Sequence, residues 1–501
     1  MASKSQNPHL HFILFPLMAP GHMIPMVDIA KLLARRPGLA VTILTTPLNA
    51  ARFNATLSRA TAAGLNIHLL HLTFPAAAAG LPESCENIDA LPSLHLAPNF
   101  FAAINMLRHE AETAVEKIQP PPTCLISDMG LPWTAEIALR LNIPRLVFHG
   151  TCCFSLLCNH RIMGSKILEN LESDSDRFLV PDFPVRVEFS KSQVSGSVNN
   201  KSQSTSGTAV LQEFREKILA ADRATYGVVV NSFEELEPEY ATEYRKEKHG
   251  KVWCIGPVSL SNQNHQDQAA RGDETAVTNQ DCLKWLDGHR PGSVVYVSMG
   301  SLARLNADQM AEIGLGLEAT KRPFIWVLGR GEKLNAIETW MASNAFEERN
   351  KENALVVRGW APQVPILAHP AIGGFLTHCG WNSTLEGISA GLPMVTWPLF
   401  AEQFCNEKLV VEVLGIGVRL GVEVPVKWGD EDKIGVLVKK EEIKEALEKL
   451  MDEGDEGEER RRKAREAGEL AKKAMEECGS STRNLSALIQ EISSSHCNIS
   501  P

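Results

Sequence analysis

Short runs of apolar, often β-branched residues alternate with longer amphipathic stretches along this 501-residue chain. The runs are bounded by Gly, Pro and polar residues, a pattern typical of buried strands. They occupy residues 11–15, 41–44, 124–127, 142–150, 226–233 and 252–255, and then 294–298, 323–328, 354–358, 374–377 and 394–397. Because strands that alternate with helices form parallel sheets, the pattern predicts an α/β fold in both halves of the chain.

Helix signals follow several of these runs. Residues 16–22 predict a loop, and a helix follows from Met23 with Pro25 tolerated in its first turn. A second helix opens at residues 381–383 and closes at Gly391 and Pro393. Further helices are predicted at residues 151–160, 407–414, 439–451, 458–477 and 481–492. The polar segments 195–208 and 429–433 predict a mobile surface loop and a solvated charged loop, respectively.

The length of the chain exceeds what a single hydrophobic core usually supports, so we expect two domains. Gly256 and Pro257 end the first series of strands, and the unpatterned polar residues after them are typical of a linker. We therefore predict an N-terminal domain over residues 1–257, a linker over 258–280, a C-terminal domain over 281–480, and a final helix and tail over 481–501.

Composition excludes several classes of partner. A net charge of −10 gives no basic surface for nucleic acid. The apolar segment 10–29 is interrupted by Pro, Gly and His, and no run reaches the roughly 20 apolar residues of a membrane span, so we expect neither a signal peptide nor an anchor. Eleven scattered cysteines without CxxC pairs predict reduced thiols in a cytoplasmic protein and no zinc site. The first βαβ unit lacks GxGxxG, which argues against a dinucleotide-dependent dehydrogenase.

Polar and aromatic residues cluster where the C-terminal strands end. In parallel sheets the ligand lies beyond the carboxyl ends of the strands, so these residues should share one rim. The helix that opens near Asn382 offers free N–H groups and a positive dipole end, which suit a diphosphate. Trp360 offers a flat face for an aromatic base, and Glu386 can accept hydrogen bonds from vicinal hydroxyls such as those of a ribose. A nucleotide sugar combines these groups.

His22 and Asp128 are the candidates for proton transfer. Both follow predicted strands of the N-terminal sheet, at its ligand edge. A neutral imidazole is a suitable general base near neutral pH, and a carboxylate bonded to its other nitrogen would fix the tautomer and stabilise the imidazolium. Taken alone, the two residues also fit a loop histidine and a helix cap.

The segment 360–403, with its HCGWNSTLE core, resembles the signature box of plant-type UDP-dependent glycosyltransferases. The resemblance implies that Trp360 stacks on uracil, with Ala361 beside it. It assigns the ribose to Gln363 and Glu386, the diphosphate to His378, Asn382 and Ser383 together with Gly380 and Ser301, and the sugar to Trp381, Glu402 and Gln403. A terminal Gln usually accompanies glucose in this family, so Gln403 favours UDP-glucose. Glu402 stands where the family more often has Asp.

The resemblance extends over essentially the whole chain. PLMAPGHMIP around His22 and LISDMGLPW around Asp128 match the family's catalytic pair. It implies a GT-B fold, in which two Rossmann-like domains face each other across a cleft, with the final helix crossing back onto the first domain. The segments GLPESCENID, VPDFP, VNSFEELEP and CNEKLVVEVL resemble one plant subfamily that glucosylates flavonoids, steroids and triterpenoids.

The expected activity is an inverting transfer of glucose from UDP-glucose to a hydroxyl of such a small lipophilic metabolite, giving a β-glucoside. The acceptor wall is predicted to include Met18, Gly21, Phe100, Phe154 and Phe400. We expect no requirement for a metal ion, because no DxD-type ligand cluster accompanies the phosphate residues. We also expect a monomer. Two alternatives stay open: a nucleotide-sugar-binding protein without transferase activity, and a sugar-nucleotide hydrolase or epimerase.

Overall fold

The computed structural model describes residues 10–194, 208–262, 264–269, 271–272, 279–329, 333–426, 430, 433 and 435–497. Most of the predicted loop at 195–208 and of the charged loop at 429–433 lies outside the described residues. The strands are β1 Leu10–Phe15, β2 Leu39–Thr45, β3 Ile67–His71, β4 Cys124–Asp128, β5 Arg145–Phe148, β6 Arg177–Leu179, β7 Glu188–Ser190, β8 Gly227–Val230, β9 Val252–Cys254, β10 Val294–Ser298, β11 Phe324–Leu328, β12 Ala354–Arg358, β13 Ile372–Thr377, β14 Met394–Thr396 and β15 Gly417–Arg419. Every strand that the apolar runs predict is present.

Helices connect the strands. They are α1 Pro20–Ala34, α2 Pro47–Ala51, α3 Asn54–Ala62, α4 Ala97–Met106, α5 Arg108–Glu116, α6 Thr134–Arg140, α7 Cys153–Ser165, α8 Thr208–Arg223, α9 Pro238–Glu247, α10 His265–Ala269, α11 Asn279–Asp287, α12 Ala307–Ala319, α13 Lys333–Ser343, α14 Phe346–Asn350, α15 Gln363–Leu367, α16 Trp381–Ser389, α17 Gln403–Lys408, α18 Lys440–Leu450, α19 Asp455–Met475 and α20 Ser480–Cys497. Short 3₁₀ turns occupy Ala77–Ala79, Ile88–Ala90, Leu94–Leu96, Ile167–Asn170, Lys191–Gln193 and Val258–Ser261, and a π-helical turn follows α17 at Leu409–Val413.

Two parallel sheets carry the architecture. The first has seven strands in the order β3-β2-β1-β4-β5-β8-β9, and the second has six in the order β12-β11-β10-β13-β14-β15. The strand order reverses direction between β1 and β4 in the first sheet and between β10 and β13 in the second. Such reversals leave a crevice at the carboxyl ends of the strands, where ligands bind in folds of this class.

The hydrophobic core continues from one sheet to the other. Val147 and Val228 of the first sheet belong to the same buried cluster as Val294 and Tyr296 of the second. Burial of apolar surface contributes about 25 cal/mol per Å², so this shared cluster stabilises the contact between the two halves. The domain limits at residues 257 and 281 stay predictions.

The helix predicted from Met23 begins three residues earlier, at Pro20. Proline suits the first turn of a helix because its missing N–H has no intrahelical partner there. His22 therefore lies in the first turn of α1 and not in a loop, and Pro25 lies one turn further along. The segment expected to be an unpatterned linker likewise contains α10.

Candidate active site

A cleft of about 680 Å³ lies between the carboxyl edges of the two sheets. His22 lines it from the first sheet. The predicted donor residues all line it: Ser301, Trp360, Ala361, Gln363, His378, Gly380, Trp381, Asn382, Ser383, Glu386, Glu402 and Gln403. The two strand-order reversals bring these residues together, because β1 and β4 lead to His22 and Asp128, while β10 and β13 lead to Ser301 and His378.

His22 and Asp128 form a close pair on the first-sheet wall. Nδ1 of His22 lies 2.5 Å from Oδ2 of Asp128. The Asp128 carboxylate is fully buried, and its other oxygen accepts the N–H of Gly130 at 2.8 Å. Since the carboxylate accepts a hydrogen bond from Nδ1–H, Nε2 of the imidazole is the nitrogen without a proton. That nitrogen can receive a proton from a molecule in the cleft.

Three influences set the pKa of His22. Burial alone would lower this pKa, but the charge and hydrogen bond of Asp128, followed by the charge of Glu402, raise it above its usual value of 6.5. Burial also raises the pKa of Glu402, although hydrogen bonds from its own N–H and from the N–H of Trp381 favour its charged form. The carboxylate of Glu402, in the loop after β14, therefore acts on the imidazole of His22 from across the cleft.

The start of α1 touches the start of α16. A helix residue normally donates its N–H to the carbonyl four residues before it, and Pro25 has no N–H to donate to Gly21. The freed carbonyl of Gly21 accepts a hydrogen bond from Nδ2 of Asn382 at 2.7 Å. Asn382 is thus partly engaged by protein, and the first turn of α1 lies against the helix start predicted to hold a diphosphate.

His378 packs between two glycines at this helix start. A Cβ atom on either Gly300 or Gly380 would lie within 2.4 Å of the imidazole. Its Nδ1 is buried and has no hydrogen-bond partner among the described residues. Burial lowers the pKa of His378 to about 4, so the ring is neutral at pH 7. A neutral imidazole beside a helix N-terminus can donate the N–H of one ring nitrogen to a phosphate oxygen.

Glu386 and Gln363 are linked within the cleft. Nε2 of Gln363 donates to Oε2 of Glu386 at 2.8 Å and to Oγ of Ser383 at 3.2 Å. The hydroxyl of Tyr296 donates to Oε1 of Gln363 at 3.3 Å. The two residues expected to hold a ribose are therefore hydrogen-bonded to each other. The buried Tyr296 orients Gln363, and Gln363 in turn orients Glu386.

Trp381 and Gln403, both expected to contact the sugar, also make contacts within the protein. The indole of Trp381 is buried and donates its N–H to the backbone carbonyl of Asn231 at 2.7 Å. This side chain joins the two halves of the molecule, while its backbone N–H bonds Glu402. Oε1 of Gln403 accepts the N–H groups of Leu399 and Phe400 at 2.8 and 3.1 Å. The oxygen of Gln403 therefore shapes the loop after β14.

Part of the predicted acceptor wall is wrong. Gly21 and Phe400 line the cleft. Met18, Phe100 and Phe154 are instead buried in the core at 0–1% exposure. Phe100 packs against Phe74, and Phe154 packs edge-on against Phe183 and Tyr240. Large apolar side chains are usually core residues, and only their orientation distinguishes a core from a wall.

Sequence reasoning missed Arg271. It lies in the polar segment between the sheets and forms ion pairs with Asp28 of α1 and Glu386 of α16. Its carbonyl also accepts the indole N–H of Trp360 at 2.9 Å. Asp28 lies 243 residues and Glu386 lies 115 residues from Arg271 along the chain, so no local pattern indicates these ion pairs. In the sequence, the signals are Asp28, an acidic residue in the mostly apolar helix α1, and Arg271, which lies directly before Gly272.

Among the described residues, no three His, Cys, Asp or Glu side chains are grouped so as to hold a metal ion. Nor does the described part of the chain contain a helix with the length and apolarity required to span a bilayer.

Comparison with known sequences gives extensive matches. The family model described as "UDP-glucoronosyl and UDP-glucosyl transferase" matches residues 278–451. The chain is 53% identical to UDP-glycosyltransferase 73C3 of Arabidopsis thaliana over 487 residues, which cover 97% of each chain. It is 52% identical to UDP-glycosyltransferase 73C25 of Barbarea vulgaris over 485 residues, or 96% of each chain.

Solved structures match over the same extent. UGT73P12 of Glycyrrhiza uralensis, complexed with glycyrrhetinic acid 3-O-monoglucuronide, superposes with a TM-score of 0.88 at 35% identity, covering 98% of this chain and 96% of the other. UGT2 of Phytolacca americana, complexed with UDP-2fluoro-glucose and pterostilbene, gives a TM-score of 0.73 at 26% identity, covering 97% and 100%. These matches confirm the GT-B arrangement of two Rossmann-like domains across a cleft.

Proposed function

The chain belongs to the plant UDP-glycosyltransferase family, an enzyme family with a UDP-sugar as co-substrate, and on that premise we propose that it transfers glucose from UDP-glucose to a hydroxyl of a small lipophilic plant metabolite. The transfer inverts the anomeric carbon and gives a β-glucoside. Residues 281–480 hold the donor, residues 1–257 hold the acceptor, and the two substrates meet at His22.

One contact carries this proposal. The hydrogen bond from Asn382 to the carbonyl of Gly21 fixes the start of α16 beside the residue that precedes His22. A diphosphate at the start of α16 would be stabilised by free N–H groups and by the helix dipole. The sugar attached to that diphosphate would then lie next to Nε2 of His22. Proton acceptor and leaving-group site thus face the same small volume.

The residues divide the reaction between them. Nε2 of His22 takes the proton of the acceptor hydroxyl as the hydroxyl oxygen bonds to the anomeric carbon from the face opposite UDP. The bond from that carbon to the phosphate oxygen breaks, and UDP departs with its electron pair. Asp128 stabilises the imidazolium that forms. General-base catalysis contributes about 10²- to 10⁴-fold, and orientation and charge stabilisation supply the rest.

The resemblance of Gln403 to the terminal Gln that usually accompanies glucose in this family supports glucose as the sugar. Glu402 and Gln403 carry the hydrogen-bonding groups that the resemblance assigns to the sugar, and both line the cleft. The relative from Phytolacca americana holds UDP-2fluoro-glucose, which supports the same donor class. For the acceptor we propose a flavonoid, triterpenoid or steroid, since the acceptor end of the cleft presents Leu17, Ile88, Phe101 and Phe400.

The test is a transfer assay with purified protein, UDP-glucose and a panel of flavonols, sterols and triterpenes. We expect released UDP and acceptor products that carry one added hexosyl unit. The anomeric proton of the product should show the large diaxial coupling of a β-glucoside in its NMR spectrum. An α-glucoside would contradict inversion.

The same assay separates the alternatives. Tight UDP binding without UDP release for any acceptor would identify a non-catalytic binding protein. Free hexose formed without an acceptor would identify a hydrolase, and a changed sugar still attached to UDP would identify an epimerase. Donor specificity follows from repeating the assay with other UDP-hexoses.

A further inference from the structure

Arg271 reaches the donor half of the cleft from the segment that connects the two sheets. Its guanidinium lies between the carboxylates of Asp28 and Glu386, and all three side chains are less than 10% exposed. Nε and Nη2 donate to Oδ2 of Asp28 at 3.0 and 2.8 Å, and Nη1 donates to Oε1 of Glu386. A planar guanidinium can satisfy two carboxylates at once, whereas an ammonium is a single point charge.

The backbone beside Arg271 is fixed as firmly as its side chain. The carbonyl of Arg271 accepts the indole N–H of Trp360. Gly272 has a φ of +99°, and a Cβ atom there would lie 2.4 Å from the Trp360 ring. Two consecutive residues of the connecting segment therefore position both the indole expected to contact the base and the carboxylate expected to contact the ribose.

The position of Arg271 is in turn held by the first domain. Asp28 also accepts a hydrogen bond from Nδ2 of Asn262 at 2.7 Å, and Asn262 accepts one from Nζ of Lys31 at 2.7 Å. Further along the segment, Asp267 accepts a hydrogen bond from Nε of Arg59 at 2.7 Å. A chain of buried polar contacts thus runs from α1 to the second-sheet carboxylate.

The Glu386 carboxylate keeps acceptor capacity for a ligand. Arg271 donates to one oxygen and Gln363 to the other. A carboxylate has about four lone-pair positions, so one position on each oxygen is left. Because Arg271 and Gln363 hold the Glu386 carboxylate in place, the remaining lone pairs of its oxygens have a defined direction. This arrangement suits the two adjacent hydroxyls of a ribose.

We propose that Arg271 is a positioning residue for the nucleotide of the donor: it orients Glu386 toward the ribose hydroxyls and couples that carboxylate to the first domain through Asp28. The inference rests on the proposed donor site and adds to it a residue outside the signature box. Arg271 itself touches Glu386 and acts on the donor through it.

The experiment compares UDP with 2′-deoxy-UDP. Binding of each nucleotide is measured by calorimetry for the wild-type protein and for Arg271→Gln. In the wild-type protein we expect UDP to bind more tightly because its 2′-hydroxyl can donate to Glu386. In Arg271→Gln we expect the affinity for UDP to fall about tenfold or more, as for loss of a charge-assisted hydrogen bond, and the preference over 2′-deoxy-UDP to shrink toward one.

Steady-state kinetics give a second readout. Arg271→Gln should raise the KM for UDP-glucose about tenfold while kcat at saturating donor changes less than about threefold. Arg271→Lys retains the positive charge but not the planar guanidinium. Its KM for UDP-glucose should therefore lie between that of the wild-type protein and that of Arg271→Gln. This milder variant also keeps the inference testable if Arg271→Gln does not fold.

Arg349→Gln is the matched control. It removes a bidentate guanidinium–carboxylate pair with Glu318 in the second half of the molecule, outside the cleft and without touching Glu386. We expect its nucleotide preference to match that of the wild-type protein. Equal weakening of UDP and 2′-deoxy-UDP in Arg271→Gln would indicate a purely structural role, and tighter UDP binding would show that Arg271 competes with the ribose. Either result overturns the inference. If the wild-type protein bound neither nucleotide, the donor site itself would be wrong.

Discussion

The pKa of the His22 imidazole sets the pH range in which this side chain can accept a proton. His22 loses hydration in the cleft, which opposes its charged form, but Asp128 of the first sheet and Glu402 of the second both favour that form. Asp128 has the larger effect because its carboxylate bonds Nδ1 directly at 2.5 Å. The base is therefore tuned by residues that lie 106 and 380 positions away along the chain.

The pH dependence of transfer follows from this balance. In the proposed mechanism only neutral His22 acts as the base, so we expect activity to fall as the pH drops through the pKa of His22. Because that pKa is raised above 6.5, we expect the acidic limb of the kcat/KM profile to have its midpoint above pH 6.5. Asp128→Asn should move the midpoint to lower pH and reduce the plateau rate, because it removes both the charge and the tautomer control. An unmoved midpoint in Asp128→Asn would contradict this assignment of the base.

Removal of the imidazole should separate chemistry from binding. We expect His22→Ala to lower kcat by about 10²- to 10⁴-fold, while UDP binding measured by calorimetry changes little. His68→Ala serves as the control, since His68 is an exposed histidine of the same sheet, at β3. Equal loss of UDP affinity and kcat in His22→Ala would indicate that His22 has a structural role.

At the level of elements, the start of helix α7 is stabilised by a residue outside the helix. The start of α7 has no side-chain cap of its own. Glu237, distant in sequence, accepts the N–H groups of Cys153 and Phe154 at 3.0 and 2.7 Å and the hydroxyl of Ser232. The buried carboxyl of Glu237 therefore accepts hydrogen bonds from two N–H groups at the start of α7 that would otherwise have no partner, and from one hydroxyl.

Glu237→Gln should therefore destabilise the fold. An amide can accept through only one oxygen, so at least one N–H loses its acceptor, at a cost of about 1–3 kcal/mol. Chemical denaturation measures the change, and Glu239→Gln is the control because Glu239 is exposed in the same region, in α9.

The destabilisation should also depend on pH. Burial raises the pKa of Glu237 from 4.5 to about 7. A raised folded-state pKa contributes stability that is complete below the unfolded value and is lost as the pH rises through the folded value. The difference between wild type and Glu237→Gln should thus be larger at pH 5 than at pH 8. A constant difference would contradict the raised pKa.

On the scale of the whole molecule, the last helix, α20, packs against the first sheet. Leu485, Leu488 and Ile492 of α20 are buried in the same cluster as the strands of the first sheet. The hydroxyl of Ser481 donates to the carbonyl of Gly256, and Nδ2 of Asn484 donates to the carbonyl of Cys254 at 3.0 Å. The final helix thus covers the edge of the first sheet at β9, which otherwise lacks a neighbouring strand.

Leu488→Ala should weaken the first domain although it lies in the last helix. Leu488 is fully buried, and a buried Leu→Ala change costs about 2–5 kcal/mol through lost burial and the cavity it leaves. Thermal unfolding monitored by tryptophan fluorescence measures the loss. Gln490→Ala, at an exposed position of the same helix, should change stability little. Unchanged stability in Leu488→Ala would show that α20 is dispensable.

The pattern of the chain predicted eleven of the fifteen described strands and the rim of the second sheet, but it missed β3, β6, β7 and β15. Trp360 and His378 follow closely after strands β12 and β13, Glu402 lies in the loop after β14, and parallel strands bring their carboxyl ends to one edge. Periodicity did not give the direction of side chains around helices and loops. Phe100 and Phe154 were therefore expected at the cleft but pack in the core.

The sequence by itself determined most strands of the two parallel sheets, the nature of the groups at their ends and the family of the chain, because these depend on local pattern and on contiguous motifs. Tertiary structure alone decided which groups meet. The carbonyl that Pro25 leaves free at Gly21 bonds Asn382, the Trp381 indole bonds Asn231, and Arg271 joins Asp28 to Glu386. Each contact joins residues more than 100 positions apart, where the geometry depends on how the sheets pack.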